Sequence, residues 1–359
     1  MKSGKVRAHI NRRRCLYTGK DFEAVSASAE INAPEHIIPL SLGGLDGFTV
    51  DCVLPSANHR AGNEIDDALG STLPFLFLRQ TYKLKGHGRV IPTIRLEGEL
   101  IDIGRKVWVD IDADGQLSWG FPADTKSKGR AIDLIGSEDQ VRSRLNSILK
   151  EIGPKNLSLV TGWGELRDAE DVEIALELAD RERGSKFKGR FIFDTHKFHS
   201  AFVTFAIKVG LCTGYKVLGP EWAFGPAGIK LRSALFAGGE ARRRPGIRGR
   251  ILPNMPSDLR AVLGLKTDRH VIAVLPSYKG VVAVVSLFGG VLGHAAIEIG
   301  AKQLSSFYSA KSGPKPIECV FQIDLTSTDG RPRLTKLRFS DIERDLKAVF
   351  SPSVSDGFF

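Results

Sequence analysis

Cysteine is scarce in this chain: four residues, widely spaced along 359, too few to staple a protein of this length with a disulfide framework. Long apolar runs are scarce as well. None approaches the roughly 18 uninterrupted apolar residues of a membrane span, which speaks against a membrane protein. The charged N-terminus has no apolar core behind it of the kind a secretory signal needs, so a reducing, cytoplasmic setting is expected. Internal repeats, low-complexity tracts and a nucleotide-phosphate loop are also missing. Finally, carboxylates are absent from residues 2 to 20, where Lys2, Lys5, Arg7, Arg12, Arg13, Arg14 and Lys20 stand before the first acid, Asp21.

That one-sided charge fits the whole. A formal net charge of +10 and a pI near 9.4 favour a polyanionic partner, since Lys and Arg contacts to phosphate give affinity that does not depend on base sequence. A second cluster, Arg242, Arg243, Arg244, Arg248 and Arg250, holds five arginines with Pro245 and Gly246 and no acid. It reads as a phosphate-contacting loop or as a linker between domains, and arginine forks suit phosphate.

One stretch carries chemistry. Pro34-Glu35-His36-Ile37-Ile38-Pro39 is followed by Gly43-Gly44 and then by Ala57-Asn58-His59-Arg60-Ala61-Gly62-Asn63. The β-branched Ile37 and Ile38 suggest a short strand, on which neighbouring side chains point to opposite faces. Glu35 could then face a cation while the His36 imidazole, which titrates near neutrality, meets a water. The segment NHRAGNEIDDAL has the composition of a helix, so Asn58 would sit in a first turn facing back toward the strand. The intervening glycines allow a tight reversal.

These residues, in this order and spacing, resemble the HNH endonuclease family. The resemblance implies a small N-terminal ββα-metal domain and hydrolysis of phosphodiester bonds in DNA, double-stranded in the first instance. Position by position it makes Glu35 a metal ligand, His36 the general base and Asn58 the second metal ligand, with Mg²⁺ or Mn²⁺ as the hard cation. Asp51 stands where the family's central Asn braces the catalytic histidine, a departure that still leaves an acceptor for the imidazole N–H. His59 and Asn63, four apart on one helical face, are the alternative ligand pair. Arg60, in the same helix, joins Arg12, Arg13, Arg14, Lys20 and the second arginine cluster as an expected nucleic-acid contact. Many relatives brace this core with two Cys-x-x-Cys pairs on zinc. Here only Cys15 of the first pair remains and Leu54-Pro55-Ser56-Ala57 replaces the second, so no structural zinc is expected, although Cys15 and Cys52 could still be neighbours. An HNH fold that has lost catalysis and only binds nucleic acid is the alternative. A scaffold for assembly with a partner is another, and restriction, phage packaging, homing and defence are all settings the family serves. Double-strand cutting by such a single-site enzyme would usually need two copies, hence a possible homodimer.

An HNH core needs about 60 to 80 residues, so the expected architecture is α+β with two domains: residues 1–85 and a larger mixed domain, residues 86–359, with a possible sub-boundary near 240–256. In GRKVWVDIDADGQLSWGF, apolar alternation on both sides of Asp114-Gly115 predicts a hairpin. The alternative there is a calcium loop on Asp110, Asp112 and Asp114, but Phe121 occupies the place of its closing Glu. Helices are predicted over 137–152, over 168–183, and from Thr195 to a stop at Gly210. Asp194, His196 and His199 at the start of the third read as a helix cap rather than a metal site. This helix also resembles one in the C-terminal region of stand-alone HNH proteins, a likeness that supplies no role. His270 to Ile299 reads as buried strands broken at Pro276–Gly280 and Phe288–Gly293. Residues 311–316 read as a surface loop and 351–359 as a tail.

Overall fold

The computed structural model describes residues 14–22, 34–86, 90–100, 105–120, 127–128, 131–132, 143, 147, 150, 159–161, 164–166, 194–237, 249–277, 280–300, 317–326 and 332–349. Arg12, Arg13, Arg242, Arg243, Arg244 and Arg248 lie outside these residues, as do the predicted helix at 168–183, the loop at 311–316 and the tail. The predicted helix at 137–152 is described only at Ser143, Ser147 and Lys150, which are helical.

The chain divides into two compact units, one made of Met1–Pro92 with Asp194–Phe359 and the other of Thr93–Phe193. The packing therefore does not divide at residue 85. The N-terminal segment shares its core with the C-terminal half: Phe48 packs on Phe321 at 4.9 Å and Phe75 on Phe202 and Phe288.

In the first unit a two-residue ribbon, β1 (Glu35–His36) and β2 (Thr49–Val50), pairs antiparallel with Glu35 opposite Val50 and His36 opposite Thr49. The turn between them depends on glycine. Gly43 has φ +86°, and a Cβ on Gly44 would stand 1.7 Å from the Ile38 carbonyl oxygen. Helix α1 (Pro55–Ala61) follows, begun by a proline at its first position. A π turn (Gly62–Asp66) leads into α2 (Asp67–Gly70), and α3 (Leu73–Thr81) comes next. The wide π turn presents two successive residues, Ile65 and Asp66, to the interior.

The second unit contains an antiparallel meander of β3 (Ile94–Leu100), β4 (Arg105–Ile111) and β5 (Leu117–Gly120). Its last turn is the predicted hairpin: Gly115 has φ +79°, and the Asp112 carboxylate accepts from the Asp114 and Gln116 amides at 2.9 and 2.8 Å. Asp112 thus closes a turn, as Asx side chains do. Two short ribbons complete the described part, β6 (Ser127–Lys128) with β7 (Ala131–Ile132), and β8 (Leu159–Thr161) with β9 (Gly164–Leu166).

The chain then returns to the first unit as the long helix α4 (Thr195–Leu218), capped by Asp194 accepting from the Lys197 amide at 2.8 Å. Gly210 is not its stop. A Cβ there would lie 3.4 Å from Ala283 and 3.5 Å from Ile299, so the missing side chain lets the helix approach the sheet, and the helix ends at Gly219 with φ +85°. By length and composition α4 could cross a membrane, yet most of it is buried inside the protein. After α5 (Pro220–Phe224) and α6 (Pro226–Leu235) come β10 (Gly249–Leu252), α7 (Ser257–Val262), β11 (Arg269–Ser277), β12 (Gly280–Ser286), β13 (His294–Gly300), β14 (Glu318–Asp324), β15 (Arg333–Arg338) and α8 (Phe339–Val349).

The strands form one antiparallel sheet in the order β10-β13-β12-β11-β14-β15, with β11 to β13 where the apolar run predicted them. Every residue of β12 is buried, as its unbroken Val/Ala sequence requires of a central strand. The register pairs Ile272 with Phe321 and Val274 with Ala283, which puts His270, Phe321 and Ala283 on one face. The N-terminal segment and α4 cover that face, through Phe48 on Phe321, Leu42 on His270 and Gly210 on Ala283. On the other face Gln322 donates to the Leu263 carbonyl just beyond α7. The described residues thus mix helices with antiparallel sheet, an α+β architecture.

Candidate functional site

Strand alternation sends Glu35 and His36 to opposite sides of β1, as the sequence predicts. His36 faces outward, its side chain 22% exposed, with Nε2 2.9 Å from Asp46 Oδ1, a carboxylate in the turn of the ribbon that is itself 90% exposed. Asp51 was expected in that place. It is exposed at the far end of β2 and makes no hydrogen bond to the imidazole, because the loop between the strands folds Asp46 over His36.

Glu35 faces inward and is only 3% exposed. Its Oε1 accepts from the Tyr17 hydroxyl at 2.8 Å and lies 2.6 Å from the ammonium of Lys208, a residue of α4 that is 0% exposed. The same ammonium donates to both oxygens of Asp66, at 2.9 and 2.7 Å, and to the backbone carbonyl of His36 at 3.2 Å. Cys212, one helical turn beyond Lys208, places its Sγ 3.3 Å from the Tyr17 hydroxyl. One cation thus serves two carboxylates in a buried space. Burial opposes the charge of Lys208, but Asp66 and Glu35 more than reverse this and push its pKa upward. Burial raises the Asp66 carboxyl to about 6 against the pull of Lys208. The Tyr17 hydroxyl and Cys212 thiol are pushed up by burial and stay protonated.

The expected cation ligands therefore separate. Glu35 is engaged by Lys208 and Tyr17. Asn58 is half-buried on α1, and its side-chain amide makes no hydrogen bond to a described residue. His59 and Asn63 do meet, with Nε2 3.1 Å from Nδ2, but on the exposed face of the helix. A divalent ion held by Glu35 and Asn58 would have to share its carboxylate with a buried ammonium, so these residues, as arranged, do not fit the cation the HNH resemblance implies.

Cys15 and Cys52 are neighbours, which the sequence left open. The Leu16 amide donates to the Cys52 carbonyl at 2.7 Å, and the Cys15 sulfur accepts from the Leu54 amide at 3.3 Å. Both are buried, and burial pushes the Cys52 thiol up to about 12. The turn they bracket is braced by Arg232 of α6, which donates to the carbonyls of Leu16 and Ala223, each at 2.8 Å.

Of the expected nucleic-acid contacts, Lys20 is exposed. Arg14 is half-buried and donates to the Gly19 carbonyl while lying over the Phe224 ring. Arg60 is exposed, pairs with Glu64 at 2.8 Å and covers the ring of Phe236 at 4.2 Å. Arg250 lies in β10, opposite Ala296.

Sequence reasoning missed Tyr17, Asp46, Asp66 and Lys208. Lys208 left the clearest signal: it is the single charge in the apolar run Phe202 to Cys212, and a buried lysine needs a carboxylate. No protein-family model, curated protein or solved structure matches this chain.

Proposed function

We propose that this protein is a nucleic-acid phosphodiesterase of HNH type, acting on DNA, with His36 as general base. The observation that supports it best is the pairing of His36 Nε2 with Asp46 at 2.9 Å. A carboxylate that accepts the Nε2 proton fixes the tautomer and orientation of the ring and leaves Nδ1 with its lone pair. Such a base can take a proton from a water attacking phosphorus. The strand, glycine turn and helix that follow one another from Glu35 to Ala61 have the order of a ββα core. Lys20 and Arg60, exposed within the same N-terminal segment, supply attraction to a phosphate backbone. Mg²⁺ or Mn²⁺ is the cation the resemblance implies, and Glu35 and Asn58 as arranged do not fit it.

A second reading has its own observation. Glu35, the family's metal carboxylate by resemblance, is withdrawn from water and neutralised by Lys208, which favours a nucleic-acid-binding module without catalysis. Supercoiled plasmid incubated with the wild type and His36→Ala, in Mg²⁺, Mn²⁺ or chelator, separates the two. Nicking or linearisation lost in His36→Ala, with plasmid retardation retained, supports the enzyme. Equal cutting by the variant sinks His36 as base. Salt-sensitive retardation by both proteins with no cutting in any cation establishes the binding module.

A further inference from the structure

Four oxygens surround the Lys208 ammonium: Glu35 Oε1 at 2.6 Å, Asp66 Oδ2 at 2.7 Å, Asp66 Oδ1 at 2.9 Å and the His36 carbonyl at 3.2 Å. Two carboxylates and a backbone carbonyl form the hard-oxygen set that elsewhere collects around a free cation. The distances here are those of charge-assisted hydrogen bonds.

We propose that Lys208 is the resident cation of this site: the chain's own ammonium occupies the place beside Glu35 that a divalent ion would take, and excludes such an ion while it is there.

Three features support this. The two carboxylates converge on the ammonium from separate elements, β1 and the π turn after α1, and the ammonium bridges them. Lys208 cannot step aside, since α4 is buried on both sides of it, from Phe202 through Gly214. Its third contact, to the carbonyl of His36, ties the cage to the residue on the reactive face. Lys208 is thus a positioning residue, setting strand β1 with a charge that is covalently attached and always present. The proposal deepens the HNH reading by naming the counter-charge at its carboxylate, yet its test needs no cleavage.

The test is Mn²⁺ titration of the full chain without nucleic acid, following the free-ion electron paramagnetic resonance signal, for wild type, Glu35→Gln, Lys208→Met and the double variant. Wild type and Glu35→Gln should match within about twofold, while Lys208→Met gains a Mn²⁺ site that the double variant weakens at least tenfold. Wild-type binding weakened tenfold by Glu35→Gln alone would overturn the proposal. So would folded Lys208→Met that binds no more Mn²⁺ than wild type. If either single variant does not fold, the other comparison decides. A protein that cuts no plasmid can still pass this test, and one that cuts can still fail it.

Discussion

Glu35 and His36 share a peptide bond and almost nothing else. Glu35 is sealed among Tyr17, Asp66 and Lys208, whose contacts make its burial tolerable. His36 sits nearer the surface against a solvent-bathed Asp46 at 2.9 Å. Alternation along a two-residue strand is enough to send one side chain into a buried ion-pair cluster and the next toward solvent.

The comparison breaks first at Lys208. Lys208→Met leaves two buried carboxylates unpaired, and the expected loss is about 3–5 kcal/mol of stability in urea denaturation, with a smaller loss when Glu35→Gln accompanies it. A Lys208→Met protein as stable as wild type would mean that the inner face holds nothing. On the outer face the expected pattern is reversed: His36→Ala should lower plasmid cleavage by roughly 10²- to 10⁴-fold and leave the urea midpoint nearly unchanged.

Acid sharpens the same contrast. His270, buried under Leu42, accepts from the Phe288 amide at Nδ1 and so donates from Nε2 to the Leu42 carbonyl at 2.7 Å. Burial lowers its pKa to about 4 from 6.5. Its contribution is complete above pH 6.5 and is lost as pH falls through about 4, up to about 3 kcal/mol by linkage. Asp66 runs the other way. Its raised pKa gives a contribution complete below 3.8 and lost as pH rises through about 6. Stability measured between pH 7 and 4 should therefore fall more steeply with acid in Asp66→Asn than in wild type; an unchanged slope would show that Asp66 does not take up this proton. The smallest effect belongs to Asp46→Asn: stability within about 0.5 kcal/mol of wild type in urea denaturation, and plasmid cleavage lowered less than in His36→Ala, because the amide still gives the imidazole an acceptor but no charge.

Much of this was legible in the sequence because it is local. The opposite directions of Glu35 and His36, the Asp114–Gly115 hairpin, the Asp194 cap and strands β11 to β13 all follow from periodicity or turn chemistry within a few residues. What was hidden is long-range. Lys208 lies 172 residues from His36, whose carbonyl it holds, and no local pattern states that distance. Asp46 precedes β2 and Asp51 follows it, five residues apart in sequence, and only the fold of residues 37–48 decides which reaches the imidazole. Gly210 looks like a helix stop, but its small size serves the packing of α4 on the sheet. The expected boundary near residue 85 does not enclose a core of its own for the same reason: most of the core around Phe48 and Phe75 comes after residue 194.

That interrupted core has a consequence in time. A ribosome adds roughly 5–20 residues per second, so about 10 to 30 seconds pass between the emergence of Glu35 and that of Lys208. Through that interval the carboxylate has no ammonium and Phe48 has no sheet to cover. The second unit, Thr93–Phe193, is made while the first is still waiting for its other half.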